Sequence, residues 1–227
     1  MREISFDTET TGFDPATGDR IVEIGCVEIL DQARTGAEFH VYINPERDVP
    51  EAAVAVHGLT WERLKPEPVF AAVADRFLDF VGDSPLVAHN ASFDMRFINA
   101  ELARLGRAPI PMSRSIDTVQ MARIRFPGAP ASLDALCRRF GVDNSGRDLH
   151  GALLDAQLLA EVYLHLLGDR QRGFDLAADR RSDGQTDGRR RTIARPPRPH
   201  APTPAELEAH QAFILKEVKA ALWLAED

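Results

Sequence analysis

Residues 1–12 read MREISFDTETTG, and residues 20–30 read RIVEIGCVEIL. In the first stretch Ile4 and Phe6 alternate with other residues, which predicts a short strand. In the second, Ile21, Glu23 and Gly25 alternate with Val22, Ile24 and Cys26, the period of two of another strand. Residues 37–43, AEFHVYI, continue the habit with Phe39, Val41 and Ile43. The joints TGFDPATGD and DQARTG are rich in turn formers, so three consecutive strands in an antiparallel meander are expected. Beyond them the period lengthens. Val69, Val73, Phe77 and Phe80 predict a helix near 68–81. Residues 85–89 read as a short buried strand, and 92–105 as a helix with Phe93, Phe97, Leu102 and Leu105 inward. A short strand near 115–117 and helices near 131–140 and 151–167 complete the series. Strands first, then strand–helix alternation, predict an α/β core: a mixed sheet flanked by helices.

The chain has 227 residues, 44% apolar and 27% charged, an ordinary globular composition. No run of about eighteen apolar residues is present, so no membrane span is expected. The N-terminus lacks a basic segment followed by an apolar one, so no secretory signal is expected either. Cys26 and Cys137 lie far apart without a CxxC, which excludes a disulfide framework and a cysteine zinc site and fits a reducing compartment. The net charge of -8 is unevenly spread: -9 in residues 1–167, +4 in 168–203 and -3 in 204–227. A nucleic-acid binder that relies only on a basic surface is therefore not expected. Residues 168–203 are rich in Arg, Gly and Pro and too poor in large apolar residues to offset their ordering entropy, so they are expected to form a flexible linker. Leu207, Ile214, Val218 and Leu222 recur on one helical face, and Phe213, Leu215, Trp223 and Leu224 add apolar area. A tail helix over 204–227 is expected, seeking a protein groove.

Three segments carry candidate chemistry. Asp7 and Glu9 are two apart on a strand, so both carboxylates point to one face, roughly 7 Å apart. Two charges of one sign that close resist joint ionisation unless a cation lies between them. In Val87–Asp94, VAHNASFD, a strand ends at His89 and Asp94 falls in the first turn of the next helix. In His150–Asp155, HGALLD, Asp155 falls near a helix start, with His150 just before it. Each has a bland reading when taken alone: an exposed strand end, a carboxylate complementing a helix dipole, a surface histidine.

Together, DxE, then HGLT at His57–Thr60, then NxxFD from Asn90, then HxxxxD resemble the DEDDh family of 3′–5′ exonucleases, which share a ribonuclease H-like fold. Residues 1–167 carry the resemblance. FHVYINP, FPG, SLDALCRRFGVDNS and LHGALLDAQLLAEVYL, with the tail AELEAHQAFILKEVKAALW, are similar to its proofreading branch, the editing subunits of bacterial DNA polymerase III. The resemblance implies two divalent cations, Mg²⁺ or Mn²⁺, held by Asp7, Glu9, Asp94 and Asp155. Asp7 would bridge both ions, Glu9 and Asp155 would hold the one beside the nucleophile, and Asp94 would act through waters. Such carboxylates suit hard dications, which stabilise attacking and leaving oxygens. His150 would be the general base.

Substrate contacts implied at the terminal nucleotide are Thr8, Thr10, Glu51, His57, Leu59, Asn90 and Phe93. Family members place a Glu five residues before the HG histidine; here that position is Ala52, with Glu51 one earlier. The resemblance further implies binding to the polymerase alpha subunit through the tail, with Trp223 prominent. It also implies contact with the sliding clamp through Gln171–Leu176, where Gln171, Phe174 and Leu176 fit a clamp-binding hexapeptide. A third, theta-like subunit is left open. The substrate would be a single-stranded DNA 3′ end, and the location the bacterial cytoplasm at the nucleoid. A stand-alone DEDDh repair or RNA-trimming exonuclease, and a non-catalytic structural polymerase subunit, are the rival readings.

Overall fold

The structure, a computed structural model, describes residues 1–146, 149–168 and 202–217. Its first compact unit, residues 1–175, is built on a five-stranded sheet. The strands are β1 (Arg2–Thr10), β2 (Ile21–Leu30), β3 (Ala33–Tyr42), β4 (Leu86–Ala88) and β5 (Ser115–Asp117). Their order across the sheet is β3-β2-β1-β4-β5. The first three pair antiparallel, and β1, β4 and β5 are parallel, so the expected meander and mixed sheet are present. Helices α1 (Glu51–His57), α2 (Trp61–Leu64), α3 (Phe70–Val81), α4 (Ala91–Arg104), α5 (Thr118–Arg125), α6 (Leu133–Phe140) and α7 (Ala152–Gly168) flank it.

Strand β1 sorts its residues between two faces. Ile4 and Phe6 point into a core with Phe70, Phe77 and Phe97 from α3 and α4. The odd face meets α7: Ser5 Oγ donates to the Ala156 carbonyl at 2.8 Å, and Tyr163 OH donates to Glu3 Oε1 at 2.7 Å. Val27, Ile29 and Val87 pack there against Ala156, Ala160 and Tyr163. β1 is thus covered on both sides, and its C-terminal end, with Asp7 and Glu9, emerges between α4 and α7. Covering also explains β2, whose residues Ile21–Val27 are all buried. The alternation in its sequence separates two packed faces, not core from solvent.

Gly25 sits directly opposite Asp7 in the β1–β2 pairing. A Cβ there would lie 2.3 Å from the Ala152 carbonyl carbon and the Leu153 nitrogen, so glycine lets the start of α7 lie against the sheet.

Four features depart from the expected elements. The β2–β3 joint is only Asp31–Gln32, both with positive φ, so β3 begins at Ala33 and DQARTG is mostly strand. Helices α1, α2 and α5 lie where no element was expected. In the second unit, residues 176–227, helix α8 (Pro204–Glu217) occupies the expected tail, and its Leu207 and Phe213 are exposed. Of the expected linker, Gly168 ends α7 and residues 169–201 lie outside the described residues, as do the expected clamp-binding residues Gln171, Phe174 and Leu176 and Val218, Leu222 and Trp223 of the tail. Among the described residues no helix is long and apolar enough to cross a membrane.

Candidate active site

The C-terminal end of β1 opens into a cleft of about 230 Å³ lined by Asp7, Thr8, Glu9, His89, Phe93, Asp94, Leu133, His150 and Asp155. Three elements deliver the carboxylates. β1 brings Asp7 and Glu9, the first turn of α4 brings Asp94, and the first turn of α7 brings Asp155. Glu9, Asp94 and Asp155 are buried and Asp7 half-buried. His150 is half-exposed, with Nδ1 3.4 Å from Asp155 Oδ2, and its backbone N–H donates to the Val56 carbonyl of α1 at 3.1 Å. Helix α1 thereby helps to hold the histidine at the mouth of the cleft.

Asp94 is fixed from β1. The Thr8 hydroxyl donates to its Oδ1 at 2.7 Å and the Thr8 N–H at 3.1 Å. Burial nevertheless pushes its carboxyl up to about 7; the Thr8 donors pull it down, and the Asp117 charge adds to the rise. Ligand atoms of Glu9, His150 and Asp155 all lie within 4.8 Å of one another. The buried carboxylate oxygens of this cluster suit a hard divalent cation, and these residues fit such a group.

The Asp94 shift has a measurable sign. Between pH 3.8 and about 7 the folded protein holds a proton that the unfolded chain has released. The folded state binds more protons in that window, so Asp94 makes stability fall as pH rises across it. In EDTA, wild type should lose melting temperature relative to Asp94→Asn as pH rises from 5 to 8. Mg²⁺ should restore more of it at pH 8 than at pH 5. Parallel pH profiles for the two proteins would show that Asp94 does not hold this proton.

A second hollow of about 480 Å³ adjoins the cleft through Thr8, Glu9 and Phe93. Its walls are the β1–β2 loop, with Gly12, Phe13 and Asp14, and helix α1, with Ala52, Ala53 and Val56. Thr8, Thr10, His57 and Phe93, expected at a nucleotide, line it. Glu51 and Leu59 are not among its lining residues, and Asn90 lines a different hollow. Ala52, at the position where the resemblance led to the expectation of a Glu, does line it. Burial holds His57 below the usual histidine range; its Nδ1 accepts from the Leu59 N–H at 3.0 Å, which assigns the proton to Nε2.

The loop wall is braced by ion pairs. Arg20 grips buried Glu101 of α4 with two nitrogens, at 2.7 and 3.0 Å, and Arg104 joins the same carboxylate at 3.0 Å. Asp19 accepts from Thr11 Oγ1, the Asp14 N–H and Arg47. Sequence reasoning missed this wall, including Phe13 and Val56. The signal there was the joint TGFDPATGD, read as rich in turn formers.

The family model described as Exonuclease matches residues 4–163. The DNA polymerase III subunit epsilon of Rickettsia felis is 48% identical over 233 residues, covering 97% of this chain and 99% of the relative. That of Escherichia coli K12 is 41% identical over 241 residues, covering 99% and 98%. The nuclease domain of 3′hExo, a DEDDh family member solved with rAMP, shares the fold. Its TM-score is 0.64 at 19% identity, covering 74% of this chain and 92% of that one.

Proposed function

The chain belongs to the Exonuclease family, and from that premise we propose the activity its site supports best: 3′–5′ proofreading hydrolysis of DNA beside a bacterial replicative polymerase, DNA polymerase III. The observation that carries this reading is the convergence of Asp7, Glu9, Asp94, Asp155 and His150 on one cleft, next to an apolar pocket that can take a nucleoside. Thr10, His57, Ala52, Val56 and Phe93 hold the terminal nucleoside, and the last phosphodiester reaches the carboxylates. Two divalent cations, Mg²⁺ or Mn²⁺, held by Asp7, Glu9, Asp94 and Asp155, supply charge neutralisation at that phosphate and a water that ionises more readily. His150 takes one proton from the attacking water. The new P–O bond forms as the bond to the 3′ oxygen breaks. The departing 3′ oxygen takes a proton from solvent, so the products are a nucleoside 5′-monophosphate and a strand with a new 3′ hydroxyl. Release of nucleotides from a 3′-labelled oligonucleotide, lost in EDTA, tests the reading; release that continues in EDTA would overturn it.

His150 is half-exposed and next to Asp155, where a base can meet water and return its proton to solvent. His150→Ala should slow hydrolysis by roughly 10²–10⁴-fold. Titration calorimetry should still detect Mn²⁺ binding in that variant. Loss of a bound ion there would make His150 a ligand instead.

A core of charge -9 repels a phosphate backbone, so the domain is suited to receive a frayed 3′ end from a partner. Exposed Leu207 and Phe213 on α8 suit a tail that docks on the polymerase alpha subunit, with Trp223 as an anchor and the intervening residues as a tether. Gln171–Leu176 is assigned to the sliding clamp, and the protein to the cytoplasm at the nucleoid. Residues 1–167 alone should keep exonuclease activity and lose polymerase binding, while residues 200–227 alone should pull the polymerase down. Co-purification of 1–167 with the polymerase at undiminished affinity would refute the tail assignment.

A further inference from the structure

Three hollows of the core unit adjoin one another through shared lining residues. The apolar pocket joins the carboxylate cleft through Thr8, Glu9 and Phe93. On its other side the cleft shares His89 with a third hollow, of about 590 Å³. His89, Asn90, Ser92, Gln120, Arg123 and Ser132 give this one polar walls. Its shape comes from the β4–α4 and β5–α5 joints. Asn90 adopts φ 69° and ψ 55°, and the Asp117 Oδ1 accepts from both the Asn90 N–H at 3.1 Å and the Val119 N–H at 2.9 Å. His89 Nδ1 lies 2.9 Å from Thr118 Oγ1. The Asp117 carboxylate in this hollow is thus engaged by backbone donors.

Arg123 is exposed, and among the described residues it makes no hydrogen bond or ion pair and no other Lys or Arg lines any of the three hollows. The stretch of sequence around it departs in charge from the domain as a whole. Residues 118–140 carry four arginines, at 123, 125, 138 and 139, against the single acid Asp134, within a core of net -9. A strand whose terminal nucleoside fills the apolar pocket, with its last phosphodiester at the carboxylates, must continue beyond the cleft. The polar hollow is the adjoining space on that side.

We infer that this hollow between the β4–α4 and β5–α5 joints is a second binding site for the DNA strand, where Arg123 pairs a backbone phosphate upstream of the scissile one. The inference rests on the exonuclease reading and names where the rest of the strand lies. A guanidinium is suited to this because it can grip a phosphate with two parallel N–H groups. A phosphate contact carries no base preference, which suits an enzyme that must accept any mismatched end.

The test compares full-length wild type with Arg123→Gln on two substrates. One is a single-stranded oligonucleotide of about ten residues. The other is the nitrophenyl ester of thymidine 5′-monophosphate, which reaches only the apolar pocket and the cleft. Arg123→Gln should raise KM for the oligonucleotide by roughly fivefold with kcat little changed. It should make the slope of log KM against log salt shallower by about 0.7, the value for one phosphate on a single strand. Ester hydrolysis should be unchanged, and Arg123→Lys should recover most of the salt slope. An unchanged oligonucleotide KM and salt slope would overturn the inference. So would an equal loss on both substrates, which would make Arg123 a support of the cleft. Failure of wild type to hydrolyse either substrate with Mg²⁺ would instead sink the exonuclease reading, and the inference with it.

Discussion

Asp155→Ala should abolish nucleotide release and leave the domain folded. Asp155 is 3% exposed, in the first turn of α7, with ligand atoms of Glu9 and His150 within 4.8 Å. On the proposed reading its removal deletes a cation ligand, and cation stabilisation of a phosphoryl transition state amounts to several kcal/mol. The loss should therefore be on the order of 10³-fold or more. Stability should respond oppositely. A carboxylate in the first turn gains roughly 0.3–1 kcal/mol from the helix dipole. Without cations, that gain is opposed by burial and by the repulsion of Glu9 and Asp7. The metal-free melting temperature of the variant should thus match or exceed that of wild type, while Mg²⁺ should no longer raise it. A quenched-flow or labelled-oligonucleotide assay showing wild-type rates would remove Asp155 from the site. A collapsed melting temperature with no activity would show only that the residue is structural.

Gly25→Ala should damage activity from a position that touches no substrate. The added Cβ would meet backbone atoms of Ala152 and Leu153 at 2.3 Å, and no side chain can rotate out of its way. Either β2 or the start of α7 must shift. Such overpacking costs about 1–3 kcal/mol of stability. The larger effect is expected on rate. α7 begins at Ala152 and carries Asp155 one turn later, beside Asp7, which pairs with Gly25. A displacement near 1 Å at reacting groups costs roughly 10²-fold. Gly146→Ala, where a Cβ meets open space, serves as the control. Full activity in Gly25→Ala, with an unchanged melting temperature, would show that α7 does not need this close approach.

The sheet and the long helices were legible because burial writes a period into sequence. Phe70–Val81 and Ser115–Asp117 fell where expected, and the four carboxylates and His150 that the resemblance singled out line one cleft. The elements that escaped reading lack such a signal. α1 starts after Pro50 with no side-chain cap and buries only His57, so seven residues carry no apolar stripe. α5 is capped by Asp117, which also ends β5, so one residue closes a strand and opens a helix with nothing between them. The Asp31–Gln32 turn adopts two positive φ values without glycine, so the usual hairpin signature is absent. The pocket wall formed by Phe13, Ala52 and Val56 joins segments far apart in the chain, and no local pattern records that meeting.

The order of these residues along the chain also governs when the enzyme exists. Asp7 and Glu9 lie in the first strand of the core, and Asp155 in its last helix, which lies across β1, β2, β3 and β4. A ribosome adds about 5–20 residues per second, N-terminus first. For several seconds each growing chain presents the early carboxylates without the one that completes the set. On the proposed reading, a message cut short before α7, or a protease that trims it away, should yield a fragment unable to degrade DNA. The chain's own order would then act as a safety catch, released only when synthesis of the core is complete.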